Sequence, residues 1–127
     1  MTTNPIGAIT IQTLAMPAAT NANGDIFGGW LVSQMDLAAG VLAKQISRGR
    51  AATVAINDLH FIKPVHVGDL VSCYVSLIKQ GRTSMTIGVQ VWTEIFSVEE
   101  TCCVAEGTFI FVAIDDDGRP RQVTQTV

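Results

Sequence analysis

Phe27-Gly28-Gly29-Trp30-Leu31-Val32-Ser33-Gln34-Met35-Asp36-Leu37-Ala38-Ala39-Gly40-Val41-Leu42-Ala43-Lys44-Gln45-Ile46-Ser47 is the one stretch of this 127-residue chain that reads as a long helix. Leu31, Met35, Ala38 and Leu42 recur at spacings of three and four, which makes one apolar face of a 3.6-residue period. The pattern ends at Ser47-Arg48-Gly49-Arg50, where a glycine and cationic side chains suit a helix C-terminus. On either side of this helix the sequence changes to strand signals. Ile9 to Ala15 reads as a first strand and Ala51 to Ile62 as a second, β-branched and in part alternating. Leu70 to Leu77 sets Val71, Cys73, Val75 and Leu77 on one face. Ser84 to Trp92 alternates Met85, Ile87, Val89 and Val91 against Thr86, Gly88 and Gln90. A last strand, Cys103 to Ile114, carries Phe109 and Phe111 together and stops at Asp115-Asp116-Asp117-Gly118.

Turn chemistry separates these strands at Lys63-Pro64 through Gly68-Asp69 and at Lys79-Gln80-Gly81-Arg82. The expected order is strand, helix, then four strands joined by hairpin-like turns: an α+β domain with one helix against an antiparallel sheet of about five strands. A single helix leaves part of such a sheet open, and a second copy of the chain would cover it. The polar residues from Arg119 to Val127 read as a loose tail.

Composition sets the outer bounds. A chain of this length makes one domain, residues 1–127, and buries roughly two-thirds of its extended surface. At 48% hydrophobic, 6% aromatic and 15% charged it has more apolar surface than one small globule hides, so a subunit interface is expected. A net charge of -3 argues against nucleic acid as a partner, yet leaves room for a local basic pocket around one phosphorylated ligand. Met1 to Gly7 lacks a basic region followed by an apolar one, and no run approaches the roughly 18 apolar residues of a membrane span. A soluble, cytoplasmic protein with no membrane partner is expected. Cys73, Cys102 and Cys103 have neither the number nor the spacing of a disulfide framework or zinc site, and read as inert buried thiols.

The segment richest in chemistry is Asn21-Ala22-Asn23-Gly24-Asp25-Ile26-Phe27-Gly28-Gly29-Trp30, followed along the helix by Ser33-Gln34-Met35-Asp36. Two glycines at a helix start leave unpaired N–H groups open to an oxygen that carries negative charge, which is the geometry of an oxyanion hole. Close helix packing explains such a pair equally well. Asp36 lies eight residues beyond Gly28, about two turns on and on nearly the same side. Its helical neighbours Val32, Ser33, Ala39 and Gly40 include no cation, so if buried it must be satisfied from elsewhere. It reads either as a carboxylate that activates water or as an ordinary acid at a helix's solvent edge. No G-x-S-x-G elbow, Walker-A loop or G-x-G-x-x-G is present. His60 and His66 lack metal-ligand spacing and read as structural or incidental.

Asn21 through Asp36, with Phe61-Ile62-Lys63-Pro64, Val67-Gly68-Asp69 and Gly81-Arg82-Thr83-Ser84, resembles the YciA-type acyl-CoA thioesterases of the hotdog superfamily, from about Thr13 to Gly118. The resemblance implies a long helix wrapped by a curved antiparallel sheet, dimers that join two sheets, and commonly a hexamer built as a trimer of dimers with active sites at the dimer interface. It implies that Asp36 is the general base or nucleophile of thioester hydrolysis, that the Gly28 N–H polarises the carbonyl, and that Asp25 approaches Asp36 of the partner subunit. Asn23, Phe27, Gly29, Lys63, Arg82 and Ser84 fall on segments that border the coenzyme A substrate, with Arg48 and Arg50 as lesser candidates. Coenzyme A is here part of substrate and product, and no metal or redox cofactor is implied. The tail after Gly118 is shorter than in many relatives. Two rivals stand beside hydrolysis: a hotdog hydratase, which generally needs a histidine that this helix lacks, and a non-catalytic acyl-CoA sensor.

Overall fold

The computed structural model describes residues 4–123. Its elements are β1 (Ala8–Leu14), a 3-10 turn at Pro17–Ala19, α1 (Gly28–Ser47), β2 (Ala51–Phe61), β3 (Leu70–Gln80), β4 (Ser84–Ile95) and β5 (Glu100–Ala113). The five strands form one antiparallel sheet in the order β1-β3-β4-β5-β2, and α1 packs on all five.

Alternation in the strands and the stripe on the helix meet in one core. Val71, Cys73 and Val75 of β3, Met85, Ile87, Val89 and Val91 of β4, and Phe109 and Phe111 of β5 are all buried. Leu77, expected in the same row, is 41% exposed, and the β3–β4 register slips just after it. On α1 the buried residues are Leu31, Met35, Ala38, Ala39, Ala43 and Ser47, whereas Leu42 is only half-buried. The small residues let the helix sit close to the sheet: a Cβ on Gly40 would already touch the Phe111 ring at 3.7 Å.

Two expectations from the sequence need correction. β2 and β3 do not form a hairpin, because β2 pairs with β5 alone while β3 lies between β1 and β4. Residues 62–69 therefore cross from the β2 edge to the other half of the sheet. Backbone bonds from Ile62 and Lys63 to Val104 O and from Ile26 to Val65 O hold this crossover. Local turn chemistry marks where the chain bends but not which strand it next pairs with. The second correction concerns the tail, which is not loose from residue 119. Pro120 bridges to Ile114, Arg121 N–H donates to Ala113 O, Val123 N–H donates to Arg82 O, and Val123 is 1% exposed. The anchor is the Arg121 guanidinium, which donates to the carbonyls of Ile114 (2.9 Å), Ser47 (3.1 Å) and Arg50 (3.2 Å). It places a cation at the C-terminus of α1, where carbonyls lack intrahelical partners. Residues 124–127 of that tail lie outside the described residues.

Candidate active site

The helix begins without a side-chain cap and without an acidic residue in its first turn. Phe27 N–H donates to Ala19 O and Trp30 N–H to Phe27 O, which leaves the amides of Gly28 and Gly29 with no acceptor among the described residues. These amides carry the positive end of a 20-residue helix dipole. Gly28 lines a cleft of about 470 Å³ together with Asn21, Asp25, Phe61, Ile62 and Lys63. A Cβ on Gly28 would stand 3.0 Å from Phe61 Cζ, so glycine is what allows the Phe61 ring to lie across the helix start. The cleft thus offers the Gly28 end of an uncapped helix, an aromatic wall and one cation within reach.

Asp36, two turns along, is half-buried, and its Oδ1 accepts a hydrogen bond from Thr53 Oγ1 of β2 at 2.6 Å. It takes part in no ion pair among the described residues. The condition set by its cation-free helical neighbours is met by a neutral hydroxyl across the sheet, which orients the carboxylate and leaves its charge in place. Sequence reasoning did not find Thr53. Its only signal is a polar side chain on the helix-facing side of a strand otherwise rich in alanine and branched residues.

The remaining candidates divide into two groups. Asp25, Gly28 and Lys63 share the cleft; Phe27 and Gly29 flank Gly28 in sequence without lining it, the Phe27 ring lying 3.3 Å from where a Gly29 Cβ would sit. Asn23 is exposed in the preceding loop, its N–H donating to Asn21 Oδ1 at 2.9 Å, and its residue does not line the cleft. Arg82 and Ser84 are not brought to the cleft of their own chain. Ser84 pairs with Val112, which on its other side pairs with Ala52, whereas the cleft lies at the Phe61 end of β2. The nine residue steps from Ala52 to Phe61 span roughly 30 Å of strand. Arg48 and Arg50 lie at that same distant end, where Arg50 Nη1 donates to Asp115 O and Asp116 O. His66, read from the sequence as incidental, stands beside Asp25 with Nε2 3.6 Å from its Oδ1.

The thiols fall outside this site. Burial pushes the Cys73 thiol up to about 12, and burial, reinforced by Glu106, also raises Cys103. Cys102 and Cys103 are half-buried rather than fully buried.

An uncapped helix start over a cleft, with a braced carboxylate on a single helix set against one curved antiparallel sheet, defines a hotdog thioesterase fold. The sequence description of the thioesterase superfamily matches residues 23–95. The acyl-CoA thioester hydrolase YciA of Salmonella typhimurium is 48% identical over 124 residues, 95% of this chain and 93% of that protein. The hexameric thioesterase y2039 from Yersinia pestis superposes with a TM-score of 0.93 at 48% identity, covering 97% of this chain and 100% of that one. An aspartate-to-alanine mutant of a hexameric broad specificity acyl-coenzyme A thioesterase superposes with a TM-score of 0.93 at 47% identity, covering 94% of this chain and 88% of the other. The chain belongs to the thioesterase superfamily and, within it, to the YciA-type acyl-CoA thioester hydrolases.

Proposed function

We propose that this chain hydrolyses acyl-CoA thioesters to a free carboxylic acid and coenzyme A, as a homo-oligomer whose active site is shared between two copies. The observation that carries the reading is the relation between Asp36 and Gly28: on one helix, a braced carboxylate with no ion pair and two amides with no acceptor among the described residues. Eight residues of α-helix separate them by roughly 12 Å, whereas the donors to a carbonyl oxygen and the group that attacks its carbon must lie about 3 Å from one reacting centre. One chain's pair therefore cannot act on one carbonyl.

A second copy removes that difficulty. β2 is an edge strand with Val54 60%, Ile56 40% and Phe61 52% exposed, the kind of edge that pairs with another chain. Antiparallel pairing of β2 with β2 about a two-fold near Ile56 and Asn57 sets Thr53 of one copy opposite His60 and Phe61 of the other. Asp36 stands against Thr53, and Gly28 against the Phe61 ring. The carboxylate of one copy then approaches the amides of the other, and Arg82 and Ser84 of the first come toward the cleft of the second. Each dimer holds two such sites. The relatives described as hexameric support further assembly into a trimer of dimers, and the broad specificity of one of them supports a panel of acyl chains as substrates.

In the reaction, the Gly28 and Gly29 amides hold the carbonyl oxygen as it gains negative charge. Asp36 takes a proton from water as the hydroxyl adds to the carbonyl carbon, or attacks that carbon itself to give an anhydride that water then opens. In both routes the C–S bond breaks with its electron pair on sulfur, and coenzyme A leaves as the thiolate. Lys63, at the cleft, and Arg82 supply cations for the phosphates of coenzyme A.

The test is free thiol release from a panel of acyl-CoAs by the wild type beside Asp36→Asn. Turnover falls by about two to four orders of magnitude in the variant; undiminished turnover rules out the assignment. The shared site has its own measurement. Mixing inactive Asp36→Asn with inactive Gly28→Val copies restores activity toward about a quarter of wild type, because half the dimers are mixed and each has one intact site. Mixtures that stay inactive despite proven subunit exchange overturn the two-copy arrangement.

A further inference from the structure

His66 sits between two carboxylates that come from different parts of the chain. Its Nε2 is 3.6 Å from Oδ1 of Asp25, in the loop before α1, and its Nδ1 is 3.8 Å from Oδ2 of Asp69, at the end of the crossover. The three are held together by backbone. Ile26 N–H donates to Val65 O at 2.9 Å, which fixes the loop beside the crossover, and the turn from His66 to Asp69 closes with Asp69 N–H on His66 O at 3.1 Å. Asp69 is only 6% exposed, and Oδ2 also accepts the His66 backbone N–H at 3.0 Å. Asp25, by contrast, lines the cleft that holds Gly28. A buried carboxylate, an imidazole and a cleft carboxylate thus stand in line.

We infer that His66 is a positioning residue for Asp25, tying the cleft carboxylate back to the buried Asp69. The inference rests on the reading above, in which Asp25 borders a site shared with Asp36 of a second copy. In that site two carboxylates and the anionic coenzyme A crowd together, and a carboxylate free to rotate would repel both. With one ring nitrogen toward each carboxylate, the imidazole holds Asp25 to one orientation. The titratable groups that face His66 are Asp25 and Asp69, and Lys63 is the cation that lines the same cleft as Asp25. Nothing on α1 can take over the tether, because its one basic residue near a terminus, Lys44, lies in the last turn.

Three predictions separate positioning from mere support of the turn. His66→Ala lowers kcat/KM about two- to five-fold, the scale of a partly exposed polar pair. In an Asp25→Asn background the same substitution changes kcat/KM less than about 1.5-fold, because the partner of the tether is gone. His66→Gln, whose single amide cannot face both carboxylates as the two ring nitrogens do, behaves as His66→Ala. Equal losses in both backgrounds would mean that His66 only supports Asp69 and the turn, and no loss in either would also overturn the inference.

A second measurement covers the case in which Asp25→Asn is itself inactive. His60 and His66 are the only two histidines in the chain, so ring resonances in 1H–15N spectra assign with one substitution. Asp25→Asn moves the His66 ring signals and leaves those of His60 in place; unmoved His66 signals refute the tether directly. Asp36→Asn run alongside keeps the two readings apart. If it abolishes hydrolysis while His66→Ala is silent, only the tether fails, whereas if it retains hydrolysis the functional reading fails first.

Discussion

Thr53→Val replaces the hydroxyl that donates to Asp36 with a methyl group of nearly the same size, and the two consequences oppose each other. A hydroxyl 2.6 Å from Oδ1 stabilises the carboxylate, and a hydrogen bond to a charged group is worth about 1.5–3 kcal/mol. Part of that stabilisation is lost in the transition state, as Asp36 gives up its charge to a proton or a new bond. On this count alone, removing the donor speeds the chemical step. Orientation acts the other way. Without Thr53 the carboxylate has no hydrogen-bond partner among the described residues and is free to rotate about its side-chain torsions, and misplacement by about 1 Å can cost on the order of a hundred-fold in rate. The electrostatic gain is limited because Asp36 is half-buried and water replaces part of the lost bond. Orientation therefore wins, and kcat falls about ten-fold with KM nearly unchanged. Thiol release under saturating acyl-CoA measures this, with Thr53→Ser as the control that keeps the donor and recovers most of the rate. A Thr53→Val enzyme as fast as wild type or faster, or a Thr53→Ser enzyme as slow as Thr53→Val, refutes the claim that the hydroxyl aims the carboxylate.

Gly28→Ala pushes on the half-exposed Phe61 ring, which can swing away, and alanine favours helix, so Tm stays within about 3 °C while kcat/KM drops at least ten-fold as the helix start is crowded; a matched loss of fold and activity in thermal melts would mean the glycine serves packing alone. Arg121→Ala removes three charge-assisted bonds to the carbonyls of Ile114, Ser47 and Arg50 and costs about 2 kcal/mol, read as a Tm lower by roughly 6–10 °C, and Arg121→Lys recovers only part because an ammonium cannot span all three. The Cys73 thiol rises from 9.0 unfolded to about 12 folded through burial, so the folded chain holds this proton more tightly; its stability is complete below pH 9 and is lost as pH climbs toward about 12. Urea titrations between about pH 8 and 10 therefore show Cys73→Val losing about 1.4 kcal/mol less than wild type across that interval, and parallel losses would remove Cys73 as the cause.

The helix and all five strands were legible because their residue patterns are local. Leu31, Met35 and Ala38 recur along one stretch of chain, as do Met85, Ile87, Val89 and Val91, and each period names the face that is buried. Asn21 to Asp36 was legible for the same reason: an uncapped helix start with two glycines, and a carboxylate with no cation within a turn, are both properties of neighbours in sequence. Pairing is not such a property. The crossover at residues 62–69 carries turn residues that fit a hairpin as well as they fit a traverse, and the choice is made by β5 taking the place beside β2. The docked tail was missed because Arg121 looks polar and exposed in sequence, while its three acceptors lie 7, 71 and 74 residues away.

Thr53 and His66 bring the same limit into the chemistry. A threonine on a strand and a histidine in a turn carry no local signal that separates use from incident, and each gains its meaning from an aspartate whose own position is set elsewhere: Thr53 from Asp36 across the sheet, His66 from Asp25 across the crossover. In both cases a carboxylate that the sequence leaves without a local cation is met by a donor from another element, and not by an arginine or lysine. In the proposed reaction, that choice leaves the charge of Asp36 in place. A lysine at position 53 would hold Asp36 as firmly as threonine does, but its full positive charge would oppose transfer of the carboxylate's negative charge to a proton or a carbonyl carbon. A neutral hydroxyl constrains direction at a smaller electrostatic cost to the transition state. The selection of Thr53 over a cation is thus an argument for Asp36 as the reacting group that holds independently of the resemblance to any relative.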